Sequence, residues 1–94
     1  MLGLLRREKR EPRTRSRLSF SDKTDCLRRY ETYSYQIAFY LLQNEGAARL
    51  AAERTLLELY RSDSWFQLET DPQTAQVKRE AMRQSLLVRR SLLT

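Results

Sequence analysis

The chemistry open to this 94-residue chain is narrow, because it has no histidine and one cysteine, Cys26. Without imidazole the commonest general base is missing, and Cys26 has neither a disulfide partner nor the companions a zinc site needs. The two glycines, Gly3 and Gly46, form no loop that could cradle a phosphate. Glu53 and Glu58 are close in sequence, but at five residues apart on a helix they diverge by about 140° and do not converge on one site. Cys26 falls on an apolar helix face, where an inert packed thiol is expected rather than a nucleophile. The expectation is a protein that binds rather than catalyses, with no cofactor or metal.

Three groups of side chains have the character of recognition surfaces. Tyr30, Tyr33, Tyr35 and Tyr40 could stack nucleic-acid bases, although three of the four share the apolar face of their helix and read first as packing residues. Trp65 and Phe66 precede a helix carrying Arg79, Arg83, Arg89 and Arg90, a combination of aromatic and cation that suits single-stranded nucleic acid. The competing reading makes Trp65 and Phe66 a hydrophobic plug at the end of the bundle. Leu50, Glu53, Arg54 and Leu57 form a mixed stripe that either docks a partner or meets the third helix.

These residues need elements to hold them, and charge divides the chain first. Residues 1–17 carry a net +5, residues 18–74 a net −3 and residues 75–94 a net +4, which makes up the overall +6. The ends are suited to a polyanion, or merely to solubility. Residues 1–20 read as a disordered basic arm, since Pro12 and the Arg/Ser/Thr alternation leave no apolar periodicity. A single all-α domain over 21–94 is expected, a small three-helix bundle with helices at about 22–43, 47–61 and 72–92. Ser21 or Asp22 would cap the first helix, whose apolar arc of roughly 200° requires two neighbours. Asn44-Glu45-Gly46 would turn the chain in a left-handed conformation, and the early alanines of the second helix would allow close antiparallel packing. Arg49 with Glu53 and Arg54 with Glu58 would make weak pairs along that helix. Asp71 and Pro72 would start the third. Its seam of Met82, Leu86 and Leu93 has Lys78 and Arg89 beside it.

Met1 to Leu5 are too short for a signal sequence, and no apolar run approaches the length of a membrane span, so a cytoplasmic protein is expected. Attachment to a membrane surface through Met1 to Leu5 and the arm is the least favoured of the partner readings.

The stretch from Tyr30 to Tyr60 resembles the start of region 2 in bacterial sigma factors of the extracytoplasmic-function type. The matching residues are Tyr30, Tyr33, Ile37, Ala38, Leu41 and Leu42, the turn Asn44-Glu45-Gly46, then Ala48, Leu57, Leu59 and Tyr60; Ala81-Met82-Arg83-Gln84 stands where the family has Ile-Ala-Arg-Asn. The resemblance implies a transcription-associated module that meets the β′ coiled coil of RNA polymerase or another transcription factor, with promoter DNA as a second ligand for the basic third helix. The family's Asp-x-x-Gln-Glu contact motif falls on Leu50, Glu53 and Arg54 here, and a helix-turn-helix domain is not expected. The alternative is a helical adaptor or homodimer that binds no nucleic acid.

Overall fold

Three of the helices begin on short polar side chains, those of Ser19, Asn44 and Ser62. A computed structural model describes residues 19–93, so most of the expected arm, residues 1–18, lies outside the described residues. Ser19 caps α1 (Phe20–Arg28), its Oγ accepting the Asp22 N–H at 3.1 Å. Helix therefore starts before Ser21 and Asp22, the caps expected.

The helix expected over 22–43 is broken in two. The Arg29 and Tyr30 N–H groups turn back to Cys26 O and Leu27 O, closing tight turns three residues long. Tyr30, at φ −106° and ψ 2°, starts α2 (Glu31–Leu42). No glycine or proline marks this break. Its cause is tertiary: Tyr30 is buried, with its ring edge-on to Trp65 at 5.6 Å and its hydroxyl bound to the distant Gln73 and Thr74.

The turn after α2 also differs from expectation. The left-handed residue is Gln43, at φ 52° and ψ 33°, and its amide side chain donates to Tyr40 O at 2.9 Å, occupying a carbonyl at the end of α2. Asn44 is extended and caps α3 (Glu45–Tyr60) through a 2.8 Å bond from the Ala47 N–H. Gly46 thus lies inside the first turn of α3, without positive φ. Ser62 caps the single turn α4 (Asp63–Phe66), and α5 (Thr70–Leu93) begins two residues earlier than expected. Pro72 fits there because the first-turn amides have no partner within the helix.

The described residues form an all-α structure with no strand. α2 packs on both α3 and α5, as its broad apolar arc requires. Tyr30 meets Gln73 at one end of α2 and Arg89 meets Leu41 at the other, so α2 and α5 run parallel, with α3 antiparallel to both. Small side chains line the interfaces: Ser34 and Ala38 from α2, Ala48, Ala51 and Thr55 from α3, and Ala81 and Ser85 from α5, all fully buried. Alanine and serine let backbones approach, but each buries little apolar surface. Many large apolar side chains lie outside instead, among them Leu50, Leu57, Met82 and Leu86.

The buried hydroxyls of Thr55 and Ser85 donate to the carbonyls of Ala51 and Ala81, four residues back. Ser34 Oγ has no such partner. Ser34→Ala should therefore stabilise the fold by about 1 kcal/mol, since an unpaired buried hydroxyl is removed without leaving a large void. A urea midpoint at or below that of the unmodified chain would contradict this account.

A Cβ added at Gly46 would meet Asn44 Oδ1 at 3.5 Å, an ordinary contact. Gly46→Ala should accordingly raise stability by about 0.5 kcal/mol, through reduced freedom of the unfolded chain. A left-handed role for Gly46 would give the opposite sign in thermal unfolding.

Candidate docking surfaces

Trp65 shows how the recognition residues are placed. It is 0% exposed, in a cluster with Tyr30, Leu59 and Val77 that includes the partly buried Cys26, Leu27 and Phe66. Its indole Nε1 donates to Gln73 O at 3.1 Å, and the Gln73 side chain returns a 3.1 Å bond to Trp65 O. The same amide group accepts from the Tyr30 hydroxyl at 3.1 Å and lies 3.8 Å from Cys26 Sγ. Gln73 thereby joins α1, the α1–α2 break and α4 to α5. Trp65 presents no exposed face on which a base could stack, which agrees with the reading of Trp65 as a hydrophobic plug. Phe66 is likewise engaged, with Trp65 at 4.8 Å on one side and the Lys23 ammonium 5.3 Å from its ring centroid. That ammonium is also 5.0 Å from the Tyr60 ring and 3.0 Å from Asp63 Oδ1. Because Asp63 is largely exposed, the ion pair is worth less than about 1 kcal/mol, and its position serves mainly to hold α1 over α4.

Burial pushes the Cys26 thiol above its ordinary pKa, against the lowering effects of Arg29 and the Gln73 bond. The protonated form is favoured at neutral pH, which suits a packing residue. Among the described residues no group of three or more His, Cys, Asp or Glu side chains could hold a metal ion, and no helix is long and apolar enough to cross a membrane.

The four residues read as a partner stripe are all on the surface of α3. Leu50 is 41% exposed and Leu57 49%, so α5 does not cover them, and Glu53 and Arg54 are exposed beside them. Neither expected pair along this helix forms: Glu58 instead pairs with Arg61 at 3.1 Å, and Arg49, Glu53 and Arg54 have no ion pair among the described residues. An Arg placed N-terminal to Glu is the weaker orientation, which explains the loss. Glu53 lies where two grooves meet. One, of about 370 Å³, runs between α1 and α3 past Phe20 and Leu57; the other, of about 420 Å³, runs between α2 and α3 past Tyr35 and Arg49.

The arginines of α5 separate into two kinds. Arg89 donates to Leu41 O at 2.7 Å, where its charge also favours the carbonyl end of α2 by about 0.3–1 kcal/mol. It therefore serves the fold. Arg79 and Arg90 are exposed and without an ion pair among the described residues, and exposed Arg83 makes only a loose 3.8 Å contact with Glu80, whose Oε2 also accepts from Gln84 at 2.7 Å. These three remain as a basic row.

A third surface, between α2 and α5, was not singled out by residue type. Tyr33, Ile37, Tyr40 and Leu41 face Lys78 and Met82 across a groove of about 310 Å³. Its signal was present as the excess apolar arc of the first helix and the Met82 seam flanked by Lys78. Tyr40, read with the packing tyrosines, is 77% exposed at this groove.

Comparison with protein-family models, curated proteins and solved structures finds no match to this chain. The resemblance to sigma region 2 accordingly rests on the residues that carry it.

Replacing Gln73 by leucine keeps most of the side-chain volume while removing its bonds to Tyr30 and Trp65. The expected cost is about 1–2 kcal/mol, because two buried hydrogen bonds are lost while the Tyr30 hydroxyl keeps Thr74 and Trp65 O keeps the Leu68 N–H. Equilibrium unfolding in urea tests this; a loss under about 1 kcal/mol would mean that water or rearrangement replaces the network.

Proposed function

We propose that this chain is a non-enzymatic helical docking module whose partner is another protein. The observation that carries this reading is the distribution of side-chain size: between α2, α3 and α5 the buried side chains are mostly alanine, serine and threonine, while Leu50 and Leu57 lie outside beside charges of α3 that have no ion pair among the described residues. Scattered exposed leucines need no explanation, but Leu50 and Leu57 lie two turns apart on one helix face, each neighbouring a groove or a charged side chain. Such a face matches a partner helix laid alongside it. In this reading α2, α3 and α5 make a three-helix bundle, and α1 with α4 closes the end that contains Trp65. The module works in the cytoplasm.

A second reading is favoured by the basic row. Arg79, Arg83 and Arg90 stand exposed on a helix that resembles part of sigma region 2, which supports a transcription-associated module touching polymerase and promoter DNA. It is weakened by the engagement of Trp65, Phe66 and Arg89 elsewhere, which removes three of the six side chains read for nucleic acid.

Affinity capture from the native cell, with and without nuclease, separates the two. Protein docking predicts capture of a protein that survives nuclease, with recovery falling at least tenfold for the Leu50→Glu, Leu57→Glu double variant, about 1.4 kcal/mol or more, while helicity by circular dichroism is unchanged. Capture that vanishes with nuclease would transfer the assignment to nucleic acid. Recovery of no protein partner and no second copy would remove the docking reading.

A further inference from the structure

The groove between α2 and α5 has a charge pattern distinct from that of the α3 face. Its walls are Tyr33, Gln36, Ile37, Tyr40, Leu41 and Met82, with Lys78 the charged side chain among them and no carboxylate. Asp71, in the first turn of α5, lies two turns before Lys78 on the same side of the helix but outside the residues that line the groove; the other acids of the two helices point elsewhere. Glu31, the only acid of α2, lines the grooves toward α1 and α3. On α5, Glu80 is two residues from both Lys78 and Met82, hence about 200° around the helix from each, and it is held by Gln84 and Arg83. Farther along α5 the exposed charges are Arg79, Arg83, Arg90 and Arg89, the last bound to Leu41 O.

From this we propose that the α2–α5 groove is a docking site for an acidic amphipathic helix of a partner protein. Its apolar stripe lies against Ile37, Leu41 and Met82, and its flanking glutamates or aspartates meet Lys78 and the α5 arginines. The parallel course of α2 and α5 supplies a straight channel, the arrangement used when a helix is read through anchors at i, i+3, i+4 and i+7. Nucleic acid fits this lining less well, since phosphate recognition has no use for an isoleucine, leucine and methionine wall. A second copy is also less suited: beside its exposed Leu50 and Leu57 stand Arg49 and Arg54 as well as Glu53, and its α5 exposes arginine beside leucine, so either face would bring like charge to Lys78 and the α5 arginines. The inference rests on the docking reading but uses a different surface from Leu50 and Leu57.

The test uses the full chain and two fluorescein-labelled peptides of one composition. One has leucines at i, i+3, i+4 and i+7 flanked by glutamates; the other has the same residues scrambled to break the stripe. Fluorescence anisotropy should show the striped peptide binding at least tenfold more tightly than the scrambled one, a difference of about 1.4 kcal/mol. Met82→Glu should reduce that binding at least tenfold, and Gln67→Glu, which adds the same charge outside both docking faces, should leave it unchanged; both positions are exposed, and circular dichroism checks that each variant folds. Equal binding of the two peptides, or no effect of Met82→Glu, would overturn the proposal. So would a single-stranded oligonucleotide or phosphatidylserine vesicles that bind more tightly than the striped peptide in a Met82-dependent way. A dimer in sedimentation that Met82→Glu dissolves would give the groove to a second copy and equally overturn it. If the striped peptide fails while nuclease-resistant capture from cells persists, the groove assignment falls and the docking reading stands; if capture fails as well, both fall.

Discussion

The amide side chain of Gln73 is the constraint on which the closed end of this fold depends. Three segments far apart in sequence reach it: Cys26 from α1, Tyr30 from the α1–α2 break and Trp65 from α4. A glutamine is costly to bury unless its amide is paired, and here both its oxygen and its nitrogen are used. The result is directional in a way that apolar packing is not. Leucine at this position would fill space without fixing where the tyrosine hydroxyl or the tryptophan carbonyl must lie, whereas the amide admits a narrow set of positions. The break between α1 and α2 follows, since the hydroxyl of Tyr30 reaches Gln73 when the chain turns there.

The other end of the bundle is organised by different means. Ala38, Ala47, Ala48, Ala51 and Val88 form its core, with Tyr35 and Leu42 packed against them. Side chains this small add little transfer free energy each, so the interface relies on many close contacts between backbones and methyl groups. The Arg89 bond to Leu41 O anchors the end of α2 to α5 in the same region. Shortness inside leaves the long side chains of these helices outside, and that is how one economy of packing produces both a narrow interior and three grooved surfaces.

Much of this was legible in the sequence, but unevenly. The all-α class and the antiparallel course of α2 and α3 follow from apolar spacing and from the alanines after the turn. The breadth of the first apolar arc correctly demanded two neighbours. The break at Tyr30 was not legible, because its cause lies more than forty residues away at Gln73, and local pattern contains no trace of it. The turn misled for a related reason: Asn and Gly are the residues that tolerate left-handed backbone, yet Gln43 takes that conformation, with its own amide bound to the end of α2. For the candidate surfaces, exposure of Leu50 and Leu57 agrees with their place outside the hairpin seam. For Trp65 the residue pattern left two readings, a stacking platform or a hydrophobic plug; its complete burial agrees with the plug, while the Gln73 partner that seals it was not legible. The α2–α5 groove belongs to two helices at once, so neither helix read singly could reveal it.

Trp65 is the chain's single tryptophan, and it is wholly enclosed. Its indole emission is therefore an optical gauge of one end of the bundle alone. Loosening of α4 from α5 admits water to the ring and changes the signal, while a partner seated on the surfaces of α3 or between α2 and α5 leaves that ring enclosed. Intrinsic fluorescence thus separates opening from occupancy without any added label.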